Sequence, residues 1–447
     1  MLSNKLNNPL FIGFYLLALL AGSNFLKIEV GNYHLFVGRI LTFILPLLLI
    51  TKDNLLNFKK AKYAKLLALV IVIVFGWSAL SIIWAKDKTA VYVNCFYMIS
   101  GVLSGLNIVL LAFDANFKLT TNFIKGWHIS WIGLVIFGYL EILFNFHIHG
   151  HFSDFLQKQS PGIPAFDSVI SLFDGPNEFA AYLVTSIPFS IYFFQKKPII
   201  FFGILLISFQ FIYRNDAKFC LIAFVFFLIS FFSVYRDSLK SFLFPKFKKY
   251  LGYTILLASF IATILITNKL VENKSESYSI YSSFESNING LQLENSSSKN
   301  KDLSPSMTSF EIRWNLILNG CNFLLKHPLT GIGSGNFEYY MSTEKDLLPT
   351  KFVLNSHSWF IQTFSENGII VGSFYWLVLL ILFISNVKYL YLSKVVNIQK
   401  FLTINLLLTF AIISNVSSSF ASSSLNWSIL CILFIAFQGN EERNEIT

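Results

Sequence analysis

The 447-residue chain has little charge, since Asp, Glu, Lys and Arg together make up only 13% of it. A soluble protein of this size carries about 25%, so too few polar groups remain to cover a water-facing surface. Cysteine is also scarce. Cys95, Cys220, Cys321 and Cys431 show no CxxC pairing and no histidine at metal-ligand spacing, which argues against a zinc site or a disulfide framework. Cys95, Cys220 and Cys431 lie in apolar runs and read as small hydrophobes. Acidic residues number 24 against 34 basic ones, for a formal charge of +10. That excess does not point to nucleic acid, because membrane proteins collect Lys and Arg in cytoplasmic loops, where they set topology. Also missing is a small-residue cleavage signature after the first apolar stretch, 10–26, which reads as a retained helix with Lys5 on its inner flank.

Hydrophobic residues, by contrast, make up 54% of the chain and 50 of its residues are Phe. Mean hydropathy is +0.60. Such a chain has lipid as its solvent. A bilayer core takes about 20 apolar residues per helix, and only helices satisfy the backbone of uninterrupted apolar runs that long. Candidate crossings fall near 10–26, 33–50, 65–84, 91–113, 123–145, 177–194, 198–213, 217–235, 250–267, 358–384, 401–415 and 426–438. The fold class is therefore all-α: a polytopic membrane bundle of about twelve transmembrane helices with a large periplasmic loop.

Positive charges orient the bundle. The connections 51–64 (Lys52, Lys59, Lys60, Lys62), 114–122 (Lys118), 196–197 and 236–249 (Arg236, Lys240, Lys246, Lys248, Lys249) are basic. With 385–400, these are the cytoplasmic loops, and both termini lie inside. The chain then divides into a bundle at 1–267 (about nine helices), an outer loop at 268–356, and closing helices at 357–447 (about three). A shorter outer connection spans 147–169. The first part of the large loop is rich in Ser and Asn and reads as mobile. Its second part differs. Phe310, Trp314, Ile317, Leu318, Cys321, Leu324 and Leu325 recur at helical spacing, as in a helix resting its apolar face on the bilayer surface or on the bundle.

Polar residues at the outer boundary are the candidates for chemistry, because charge there is costly. Arg214, Asp216 and Lys218 cluster in the outer turn Tyr213-Arg214-Asn215-Asp216-Ala217-Lys218, against the positive-inside bias. Arg313 lies on the loop helix. His357 begins the tenth crossing, where Ser356 or Ser358 serves as a cap. Locally each has a plainer reading: a solvated turn with Lys218 snorkelling to the interface, a headgroup contact for Arg313, and a structural interfacial histidine.

Longer motifs shift that balance. The stretch Ile312-Arg313-Trp314, followed by Leu325-Lys326-His327-Pro328-Leu329-Thr330-Gly331-Ile332-Gly333-Ser334-Gly335-Asn336-Phe337, resembles the outer-loop signature of the O-antigen ligase and O-antigen polymerase superfamily. His357 and then Glu366-Asn367-Gly368-Ile369-Ile370-Val371-Gly372 continue the resemblance, and Asp174-Gly175-Pro176-Asn177-Glu178-Phe179-Ala180 resembles its Pro-Asn-x-x-Ala helix start. The similarity runs over roughly 170–440, in order and in topology. It implies an all-helical glycosyltransferase without metal or other cofactor, in lipopolysaccharide or surface polysaccharide biosynthesis. The implied donor is an undecaprenyl-diphosphate-linked glycan, and the acceptor a second glycan or lipid A-core. By resemblance, Arg313 binds the donor diphosphate and His357 acts at the acceptor hydroxyl. The family has a Ser-Arg or Thr-Arg pair where this chain has Ala217-Lys218. Lys keeps the charge without the bidentate fork, which leaves Arg214 as an alternative second cation.

These residue types suit such a transfer on independent grounds. A polyprenyl diphosphate leaves as a stabilised anion and calls for fixed cations rather than an acid. An imidazole, mostly neutral at pH 7, suits the base that takes the acceptor's proton. Other constellations are weaker. His147-Ile148-His149-Gly150-His151 has only Asp154 nearby as a supporting carboxylate for a divalent metal. The run Gly331, Gly333, Gly335 lacks the Gly-Lys-Ser/Thr ending of a nucleotide loop and reads as a turn near the glycan. Glu141 and Asp114 read as solvated groups near helix ends. The alternative class, a polysaccharide or lipid-linked sugar transporter or flippase, calls for midplane charges on broken helices and two matching halves. Neither pattern is visible here. The expected location is the cell inner membrane, with multiple passes and contact with membrane lipid.

Overall fold

The computed structural model describes residues 8–20, 28–30, 33–35, 37–49, 62–114, 117–144, 168–173, 175–234, 309–350, 353–392, 398–415 and 423–441. The expected crossing at 250–267, the 268–308 part of the loop, the basic connection 236–249 and the histidines at 147–151 lie outside them. One compact unit comprises 1–234 and 312–447, and a second comprises 235–311. The helical bundle belongs to the first.

The described residues form α1 (Pro9–Leu20), a two-stranded antiparallel hairpin of β1 (Ile28–Val30) and β2 (Tyr33–Leu35), α2 (Val37–Leu49), α3 (Lys62–Leu80), α4 (Lys88–Ala112), α5 (Thr121–Phe144), α6 (Pro176–Lys196), α7 (Pro198–Arg214), α8 (Lys218–Val234), α9 (Ser309–Lys326), α10 (Phe337–Thr343), α11 (Trp359–Leu392), α12 (Ile398–Ile413) and α13 (Ser424–Glu441). Helix starts follow local chemistry. Proline opens α1, α6 and α7, where its missing N–H costs nothing. Asp87 caps α4 by accepting the Ala90 N–H at 3.1 Å. Among the described residues, four helical stretches are long and apolar enough to cross a membrane: Lys62–Ile83, Lys88–Ala112, Thr121–Phe144 and Trp359–Ser385. Six further apolar helices are 10–17 residues long.

Close packing holds the bundle together. A Cβ at Gly101 or Gly105 of α4 would come within 2.3 Å of Trp427 or Cys431 of α13, respectively. Gly126 of α5 meets Ile12 of α1 in the same way. Small residues at such crossings let helices approach where lipid supplies no hydrophobic drive between them.

Two elements depart from the sequence reading. The tenth apolar stretch is not one straight crossing, because Gly368 (φ 77°, ψ 176°) breaks α11 into a short helix at 359–367 and a longer one from 369. Helix α9 is apolar on two sides. Its buried hydrophobic side chains are Leu316 and Phe323, which pack with Ile332, Phe337, Tyr340 and Met341. Trp314, Leu318 and Leu325 are 52%, 38% and 79% exposed. Spaced i, i+4 and i+11, they form a stripe within roughly 40° of arc, about opposite the packed face. Spacing picked out the exposed side and left out the packed one, Leu316 and Phe323.

Candidate functional site

The glycine run is a wedge. His327 to Asn336 threads into the break of α11, where the Ile332 N–H donates to the Ser365 carbonyl at 2.9 Å and the Gly333 N–H to the Glu366 carbonyl at 3.1 Å. In return, the Ile369 N–H donates to the Pro328 carbonyl at 2.8 Å. Gly331, Gly333 and Gly335 all have positive φ. A Cβ at Gly331 would lie 2.3 Å from the Glu366 backbone, and one at Gly368 2.2 Å from the Leu329 carbonyl oxygen. The Ser334 N–H donates to Ser81 Oγ, and the Gly335 N–H to the buried Glu366 carboxylate at 2.9 Å. The Gly331 N–H donates to the His327 carbonyl and the Asn336 N–H to the Gly333 carbonyl. Every N–H from 331 to 336 is thus spent within the protein, leaving none to cradle a phosphate. The side chain of Asn336 trades two hydrogen bonds with the backbone of Asp87, fixing the wedge to the start of α4.

That wedge is hydrogen-bonded to the end of the 359–367 helix, whose first turn follows His357. His357 is half-buried with φ 47°, a left-handed conformation that few non-glycine residues adopt. Its neighbours are tied down. Ser358 Oγ donates to Asn415 Oδ1 at 2.7 Å, and the Trp359 N–H donates to the Ser414 carbonyl at 3.0 Å. Arg313 of α9 reaches the same corner. Its Nη1 donates to the Asn415 carbonyl at 3.5 Å, and its Cζ stands 5.3 Å from the ring centroid of Phe219. Burial pulls its guanidinium below the ordinary arginine range, opposed by the neighbouring Cys220. A cation short of water is a strong receptor for an anion.

The structure therefore brings Arg313 and the His357 turn to one corner, at the N-termini of α8 and α11 and the C-terminus of α12. Lys218, adjacent to Phe219, stands at its rim. Its side chain is 75% exposed and pairs with Asp216 at 3.6 Å, a weak interaction in water. Arg214 is half-buried in the last turn of α7. Between them Asn215 secures the turn: its side chain takes the Val169 N–H at 2.8 Å and donates to the carbonyls of Val169 and Pro176.

Glu141 corrects the sequence reading. It is 3% exposed, not solvated, and its Oε2 accepts the N–H groups of Ile170 and Ser171 at 3.0 and 2.9 Å. It anchors the segment leading into α6. Asp114 is exposed, as expected. Neither Asn415 nor Asn215 stands out in the sequence. Each is a lone amide at a helix end, and only its partners give it meaning. Among the described residues, no three His, Cys, Asp or Glu side chains are placed to share a metal ion.

A second charged group lies beside the wedge. Glu344 receives Lys326 at 3.0 Å and Lys86 at 3.5 Å, and Lys86 Nζ stands 4.5 Å from the Tyr340 ring centroid. His327 packs edge-on against the same ring. Partial burial, then Lys86, holds its imidazole below the usual range.

Compared with known proteins, residues 181–377 match the family model described as O-antigen ligase. No curated protein matches the chain. The matched stretch starts within α6, ends within α11, and contains Arg214, Lys218, Arg313, the glycine wedge and His357. Residues 181–377 of this membrane protein are thus similar to O-antigen ligases, which supports the resemblance to the O-antigen ligase and polymerase superfamily carried by the motifs.

Proposed function

We propose that the protein transfers a glycan from an undecaprenyl-diphosphate donor to an acceptor hydroxyl at the periplasmic face of the inner membrane. The observation that carries this reading is the corner where half-buried Arg313 and the His357 turn meet through Asn415. Arg313 holds the donor diphosphate, with Lys218 or Arg214 as the second cation. The bond from the sugar's anomeric carbon to the diphosphate oxygen breaks, and its electron pair leaves with the polyprenyl diphosphate. The acceptor oxygen forms the new bond to that carbon while His357 takes its proton. Charge grows on the leaving group where water is scarce, so a fixed cation stabilises the transition state more than the ground state. The exposed stripe of Trp314, Leu318 and Leu325 rests on the outer leaflet, which sets Arg313 near headgroup depth, where the carrier's diphosphate lies.

Polymerase and ligase share this donor site and differ in acceptor; polymerases are the more numerous kind, and the reading leans to polymerase on that ground. The polysaccharide profile of a deletion strain tests it. Lipid A-core carrying a single repeat unit identifies a polymerase; bare core with accumulated lipid-linked polymer identifies a ligase. An unchanged profile rejects both.

A further inference from the structure

We propose that Asn415 is a positioning residue that fixes the donor-holding cation and the imidazole in one geometry. Residues on three elements meet at this amide. Its backbone carbonyl accepts Arg313 Nη1 from α9. Its side-chain oxygen accepts Ser358 Oγ at the start of α11, one residue after His357. Its side-chain nitrogen donates to the Ala411 carbonyl at 3.0 Å, within α12. The last bond fixes which way the amide points: with Nδ2 committed to its own helix, Oδ1 is turned to Ser358. The backbone of the same corner closes the frame, as the Trp359 N–H donates to the Ser414 carbonyl.

Arg313 and Ser358 thus take their reference from the same end of α12. The two contacts use different atoms of Asn415, so mutation can separate them. Truncating the side chain removes the hold on Ser358 and leaves the carbonyl that receives Arg313. Catalysis that depends on aligned groups is sensitive to displacements of about 1 Å, whereas binding through Arg313 is not reached by that change. Asn415→Asp does the opposite. It keeps an oxygen for Ser358 and places a carboxylate beside the guanidinium, where it competes with the diphosphate.

This inference rests on reading Arg313 and His357 as the donor-binding cation and the base. Its test is steady-state release of polyprenyl diphosphate by purified protein in proteoliposomes, using the lipid-linked glycan extracted from a deletion strain as donor. Asn415→Ala is expected to lower kcat about ten-fold or more at unchanged donor KM. Ser358→Ala is expected to do the same, and the double variant to be no worse than either single one. Asn415→Asp is expected to raise donor KM several-fold with a smaller loss of kcat. Wild-type kcat in Asn415→Ala, or losses that multiply in the double variant, overturns the coupling. Should Asn415→Ala fail to fold, Ser358→Ala and Asn415→Asp decide it alone: a Ser358→Ala protein with wild-type kcat, or an Asp variant with unchanged KM, overturns it. Arg313→Ala and His357→Ala run alongside. If both turn over normally, the functional reading itself falls; if both fail while Asn415→Ala keeps wild-type kcat, only the coupling falls.

Discussion

Arg313 and Lys218 carry the same formal charge in different surroundings, and burial ranks them. Arg313 is partly desolvated against Phe219 and Cys220, whereas Lys218 is mostly in water beside Asp216. Arg313→Ala is expected to abolish transfer while the protein still inserts. Arg313→Lys keeps the charge but loses the fork, which is expected to cost on the order of ten-fold in donor turnover. His357→Ala is expected to lose roughly a hundred-fold or more. Banding of surface polysaccharide in complemented cells reads all three. Glu141 makes a different prediction. Removing its carboxylate orphans two buried backbone donors, at about 1–3 kcal/mol each. Glu141→Ala is therefore expected to lower the unfolding midpoint in detergent clearly, and Glu141→Gln less so. The motif resemblance singled out Arg313 and His357, which residue type and spacing alone left with plainer readings. Residue type and spacing did not reveal Glu141, because an acid near a helix end looks solvated until the chain is seen folding back over it at Ile170.

Helices were legible wherever an apolar run continued. Eleven of the expected crossings have a described helix in the expected place, although among the described residues only four stretches meet the length and apolarity needed to cross a membrane. The break in α11 was not legible. A single glycine in an apolar run is tolerated in ordinary helices, and the wedge that fills the break comes from another part of the chain. Gly368→Ala forces a side chain into a region open essentially to glycine alone, costing about 1–3 kcal/mol before its clash with Leu329. The expected outcome is a less stable protein with reduced transfer, read by thermal unfolding and activity together. For α9, the exposed stripe predicts that Trp314 fluorescence is quenched by brominated lipids in proteoliposomes. Quenching unchanged in Trp314→Phe would contradict a lipid-facing Trp314.

Across the whole molecule, charge sets a pH response at the junction of α9, α10 and the start of α4. Burial and Lys86 hold the His327 imidazole below its usual value near 6.5. As pH falls through that value, the unfolded chain binds a proton that the folded protein resists, so stability declines. Glu344 is held below the ordinary carboxylate range by Lys326. Its ion pairs therefore persist through this window and weaken only at lower pH. A lower unfolding midpoint at pH 5.5 than at pH 7.5 is expected, with the difference reduced in His327→Gln. The bundle of apolar helices was readable from hydropathy, because it follows from the solvent. The corner was not, because it joins chain segments whose meeting no local pattern encodes.

The proposed transfer requires Arg313 and His357 to act together on a lipid diphosphate. Its most direct test is a single-turnover assay in proteoliposomes with radiolabelled lipid-linked glycan, comparing wild type with Arg313→Ala and His357→Ala in binding and in transfer. Donor binding is expected to weaken in Arg313→Ala, and to stay unchanged with transfer lost in His357→Ala. Transfer at the wild-type rate in the correctly folded His357→Ala protein would contradict that requirement.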